Sequence, residues 1–240
     1  MGDDLNPLKR PRIQDASPSD SIVDVKKHPS LYLSDGNIVL YSAASEGEAV
    51  AFCVHRSMLS KVSLIFADMF SLPPSDVNEQ HEGRPVVRMQ DRASDLEQLL
   101  KILYHESSLP MKRLDPQFPS EVKPILQLAN KYEITSLRGQ IVSRLTEDWP
   151  TTLREWDALE KDIATMRETW DERLDYTASG SDFSLDSHLP EPVGALHLAK
   201  ECEVPQILPA VFYHLSRLSF SFLFSWAGNA RSFFVSPNGS

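Results

Sequence analysis

The residues most able to do chemistry sit in "FCVHRSMLSKVSLIFADMF" (52–70), where His55 stands beside Arg56 as an alternating stretch gives way to a helical one. A catalytic histidine needs a nucleophile or carboxylate within reach, or further ligands at metal spacing. The seven histidines (28, 55, 81, 105, 188, 197 and 214) form no HExxH pair and no cluster. The two cysteines, Cys53 and Cys202, make no CxxC. GxxxxGK[ST], GxGxxG and GxSxG are missing too, and nine glycines leave few loops to cradle a phosphate. Nucleotide, hydrolase and zinc chemistry therefore lack their spacing. His55 is expected to be structural, its ring packed at a strand-to-helix junction and hydrogen-bonded to backbone. An enzyme with a diverged site is the reading from another class.

Charge narrows the partners. The 240 residues carry a net charge of −10. Residues 146–191 hold 13 acidic and 4 basic side chains, whereas residues 31–145 hold 14 and 12. No basic surface is implied, so direct nucleic-acid binding is not expected. No run approaches the roughly 20 apolar residues that span a bilayer, and no membrane association is expected. "MGDDLNPLKR" lacks an apolar signal region. With two scattered cysteines, this points to an intracellular protein, cytoplasmic or nuclear, with reduced thiols.

The elements that position these residues can be read in order. Residues 1–29 mix Asp, Ser, Pro and Lys without periodicity and are expected to be disordered. "NIVLYSA" and "AVAFCVH" read as strands of a hairpin turning at "SEGE". Leu59, Val62, Phe66, Met69 and Phe70 then recur at helical spacing, with Ser63 able to cap a second short helix. After a loop over 71–85, "VVRMQD" gives a third strand. Ser94 and Glu97 have capping-box spacing ahead of Leu96, Leu99, Leu100, Leu103 and Tyr104. Pro110, Pro116 and Pro119 interrupt, and a helix pair follows over "EVKPILQLANKY" and "ITSLRGQIVSRL".

Thr152 and Glu155 form another capping box. They open an acidic amphipathic helix with a stripe of Leu153, Trp156, Leu159, Ile163, Met166, Trp170 and Leu174. "TASGSDFSLDSH" reads as a linker. The helix pair then repeats: 125–145 aligns with 195–215 at an offset of 70, with Leu126, Leu128, Ala129, Glu133 and Leu145 matched by Leu196, Leu198, Ala199, Glu203 and Leu215. "SFSFLFSW" (219–226) begins an irregular tail over 219–240.

The motif F-x-V-H-R-x-x-L-x-x-x-S-x-x-F-x-x-M-F, carried by Phe52, His55, Arg56, Leu59, Ser63, Phe66 and Phe70, resembles the BTB/POZ domain. "VVRMQD" and "ANKYEITSLRGQIVSRL" fall where that resemblance needs them. It covers about 30–148, and "DGNIVL", "PTTLREWD" and "ALHLAKECEVPQILPAVFYHLS" look like a fungal group with added helices. The implied fold is α+β, a small sheet of about three strands covered by helices, with a helical extension over 149–218. Family members often open the first strand with Asp; here Asn37 takes that place and Asp35 precedes it. No room is left for a leading helix before that strand, so a swapped dimer is not implied.

The resemblance implies a non-enzymatic scaffold for other proteins, self-association included, with no cofactor and no metal. The alternative is a substrate adaptor of a cullin-type ubiquitin ligase. In members that bind such a scaffold, the loop after the "M-F" helix often carries an apolar residue, any residue, then Glu. Val77 and Glu79 fit that pattern, and a plain acidic loop fits it too.

Overall fold

The computed structural model describes residues 24–45, 48–72, 79–110, 112–174 and 190–217, with side chains at all of these except 24 and 170–174. Expectations for 1–23, for Val77, for the 177–188 linker and for the 219–240 tail lie outside them.

Five strands form the sheet, not three: β1 (Asp24–Tyr32), β2 (Ile38–Tyr41), β3 (Glu48–Val54), β4 (Gln80–His81) and β5 (Arg84–Arg88), in the order β1-β3-β2-β5-β4. β2 and β3 are the expected antiparallel hairpin, while β1 runs parallel to β3 and β5 parallel to β2. The strand period of two sorts β2 and β3 between two faces. Ile38, Leu40, Phe52 and Val54 enter the main core, and Val39, Tyr41, Ala51 and Cys53 form a smaller cluster on the other face. Gly36 is fixed by close approach there, since a Cβ would lie 2.6 Å from the Cys53 sulfur.

β1 corrects the disordered assignment of residues 24–29. "DVKKHPSLY" hides its strand because Lys26, Lys27 and Pro29 face solvent. Its hold on the core is Leu31, fully buried, together with His28, whose ring stacks on Phe52 at 5.0 Å. The His28 Nδ1 accepts the backbone N–H groups of Ser30 (3.2 Å) and Leu31 (2.9 Å).

Helices cover the main face: α1 (Arg56–Val62), α2 (Leu64–Ser71), α3 (Ala93–Leu103), α4 (Phe118–Lys131) and α5 (Thr135–Asp148). Ser63 divides α1 from α2. Its hydroxyl accepts from the Phe66 N–H at 3.1 Å and donates to the Tyr132 carbonyl at 2.5 Å. The Ser94–Glu97 capping box does not form. Arg92 is the N-cap residue of α3 without a side-chain bond, and Glu97 instead binds Lys101 at 2.5 Å. Pro119 does not break a helix either; it lies in the first turn of α4, where its missing N–H costs nothing.

The extension continues the same core. α6 (Leu153–Leu174) starts at the expected Thr152–Glu155 box, with Glu155 N–H to Thr152 Oγ1 at 3.3 Å and Thr152 N–H to Glu155 Oε2 at 3.1 Å. Leu159 is buried and Trp156 meets Tyr213 edge-on at 4.8 Å, but Leu153 leaves the stripe and is 76% exposed. α7 (Pro192–Glu201) and α8 (Leu208–Arg217) rebuild the α4–α5 pair. α7 packs on α4, where Lys123 binds Glu201 at 2.8 Å and the Asn130 amide donates to the Cys202 carbonyl at 2.8 Å. Leu198, Val204, Ile207 and Val211 join the core that holds Phe52 and Phe66. Each such burial is worth ~1.5–3 kcal/mol.

Candidate functional site

His55 ends β3 and precedes α1, so its position is set by the sheet on one side and a helix on the other. Its backbone N–H donates to the Tyr104 hydroxyl at 2.8 Å, and its Nδ1 lies 3.0 Å from the same oxygen. Its Nε2 lies 3.3 Å from Asp35 Oδ2. The tyrosine oxygen accepts from the backbone, and in the ring tautomer with its proton on Nε2, facing Asp35, Nδ1 accepts the Tyr104 proton. The expected ring-to-backbone bond is thus replaced by two side-chain partners.

Carboxylate, imidazole and hydroxyl stand in the order of a nucleophile relay, yet the chemistry does not follow. The hydroxyl is a phenol, and burial, helped by Asp35 and Cys53, pushes Tyr104 above its ordinary value. Its oxygen is already committed to a backbone N–H. The three groups staple the end of β3 to the end of α3.

Arg56 serves the fold beside it. Its N–H donates to Asn37 Oδ1 at 2.8 Å, and its guanidinium donates to the Phe70 carbonyl and lies 5.4 Å from that ring's centre. Asn37 accordingly fastens the start of α1, while the nearby carboxylate of Asp35 goes to His55. Phe52, Leu59, Ser63 and Phe66 are buried, with Phe66 stacked on Tyr132 at 4.5 Å. Phe70 is half-buried against the core and stacks on Phe66 at 5.8 Å.

Of the candidate binding pair, only Glu79 is described. It forms a fork with Arg88 at 2.8 and 2.5 Å, so it is an ion-paired group rather than a loose acid. Arg88 also lies over Tyr41 at 5.6 Å, and the Tyr41 hydroxyl meets His81 Nδ1 at 2.7 Å. Glu79 is therefore oriented by the β4–β5 hairpin.

Two exposed leucines at the ends of α2 escaped the sequence reading. Leu64 and Leu72 are 70% and 69% exposed at the start of α2 and just beyond its end. The signal was present, because both fall off the stripe of Leu59, Val62, Phe66, Met69 and Phe70. Among the described residues, no His, Cys, Asp and Glu group could hold a metal ion, and no helix is long and apolar enough to cross a membrane.

Residues 38–148 match the BTB/POZ domain family. No curated protein matches the chain. The matched segment runs from the first residue of β2 to the last of α5, and it contains the whole 52–70 motif. The chain carries a BTB/POZ domain, and this domain is a protein–protein interaction module.

Proposed function

We propose that the chain is a non-enzymatic BTB/POZ scaffold whose partner contact centres on α2 and the segment leaving it. The exposure of Leu64 and Leu72 carries this reading. Single exposed leucines are ordinary, but these two mark the first residue and the C-cap of one eight-residue helix, 70% and 69% exposed. In the sequence, Leu72 precedes Val77 by five positions and the oriented Glu79 by seven. Apolar anchors beside a fixed charge are what a protein partner can desolvate and align.

A second reading is the adaptor of a cullin-type ubiquitin ligase, with the C-terminal helices widening the contact or presenting a substrate. The Val77-x-Glu79 spacing favours it, as does the Arg88 fork that orients Glu79 at 2.5 Å. The test is retention of cullins from the protein's own cell by the immobilised full chain. Retention lost in Leu72→Asp and in Val77→Ala supports the adaptor. A different partner whose binding depends on Leu64 and Leu72 supports the general scaffold. Partners indifferent to all three positions would overturn the surface.

A further inference from the structure

We propose that the cleft between α3 and α4 is a second docking site, for a partner segment that carries an apolar side chain next to a lysine or arginine. The cleft has a volume of about 490 Å³ and is open to solvent, within the roughly 300–1,000 Å³ usual for ligand clefts. Ile102, Leu109, Pro110 and Ile125 line it with apolar surface, and Gln98, Ser107, Ser108 and Glu121 are its polar wall.

The wall is preformed. The chain reverses after α3 through His105, whose φ of 59° is left-handed. The Glu106 and Ser107 N–H groups both return to the Lys101 carbonyl, at 2.8 and 3.2 Å. The backbone up to Ser107 is thereby fixed beside the cleft, so a partner would not have to order it.

The polar groups of the wall are left for something outside the fold. On the adjoining face of α3, Glu97 and Lys101 satisfy each other at 2.5 Å, and Glu97 also faces His28 at 3.4 Å. Gln98, Ser107, Ser108 and Glu121 make no side-chain hydrogen bond or ion pair among the described residues. Glu121 is the one charge on the lining, and no cation of the lining opposes it. Its place in the first turn of α4 suits the helix dipole, which accounts for a carboxylate there but not for the apolar floor beneath it. An apolar side chain in the floor with a cation at the wall matches both. This site shares no residue with the α2 surface, so the two can fail separately.

A random heptapeptide phage library panned on the full chain tests the proposal. Enriched peptides should pair Leu, Ile, Met or Phe with Lys or Arg within a few positions. A fluorescent copy of the enriched sequence should bind about tenfold more weakly to Glu121→Lys, because a wall charge would become repulsive. Glu121→Gln should lie between the two, and added salt should weaken only the unmodified protein markedly. Leu64→Asp and Leu72→Asp should bind the peptide normally. Glu121 is exposed, so its variants should lose only the first-turn dipole interaction; a single cooperative melt slightly below the parent's excludes misfolding. Absence of enrichment, enriched peptides without a basic residue, or binding unchanged in Glu121→Lys would overturn the proposal.

Discussion

Glu133 and Glu203 occupy the same point of two successive helix pairs, each with left-handed backbone at φ 50° and 56°. Behind Glu133, the Ile134 N–H returns to the Ala129 carbonyl at 2.8 Å; behind Glu203, the Val204 N–H returns to the Ala199 carbonyl at 2.9 Å. The repeat is therefore one of backbone geometry as well as of residue type. A helix ended by a left-handed residue is ordinarily ended by glycine.

Glu133→Gly and Glu203→Gly should each stabilise the protein by about 0.5–1 kcal/mol, since the left-handed cost outweighs glycine's added chain entropy. Glu133→Val should destabilise it, because a β-branched side chain suits that backbone least. Chemical denaturation of the three variants measures the signs.

The shared core makes the second helix pair integral. Leu198 is 0% exposed, and Leu198→Ala should cost about 2–5 kcal/mol. Amide exchange over 192–215 should be slowed together with that of α4 and α5. Free exchange there, with α4 protected, would contradict a common core.

Much of this was legible because period and punctuation were strong. The alternation in "AVAFCVH", the serine at 63 and the offset of 70 each reflect burial or capping that the structure contains. β1 was not legible. Its burial rests on His28 and Leu31 amid lysines and a proline, and its pairing is with a strand well ahead in the chain. The Ser94 box failed because Glu97 pairs with Lys101, an i,i+4 spacing present in the sequence, and with His28, which no local spacing reports. Asp35 was read only as a displaced family residue, since its partner His55 lies across a hairpin.

His55→Ala should lower stability by about 1–3 kcal/mol, through loss of the ring's bonds to Tyr104 and Asp35 and lost packing, the backbone bond to Tyr104 remaining. His55→Asn, whose side-chain oxygen can accept the Tyr104 proton, should recover part of this. Unchanged melting would remove the staple.

Alkaline pH should loosen the fold. Burial raises Tyr41, Tyr104, Tyr132 and Cys53, raises Tyr32 to about 12 and raises Cys202 to about 11, from ordinary values of 10.0 for tyrosine and 9.0 for cysteine. Each group binds its proton more tightly when folded. The stability they give is complete below pH 9 and is lost as pH rises through 9–12. Melting temperature should fall across that window. Both thiols should also resist alkylation at neutral pH until the protein unfolds, as both are free and buried.

The central claim is that α2 and the segment after it receive a protein partner. Its most direct measurement is cross-linking of the full chain to proteins of its own cell, with cross-linked positions mapped on the sequence and the capture repeated with Leu64→Asp/Leu72→Asp. Cross-links concentrated over 64–79, and lost in the double variant at unchanged melting temperature, are the predicted result. A partner captured equally by the double variant, with cross-links elsewhere, would contradict the account.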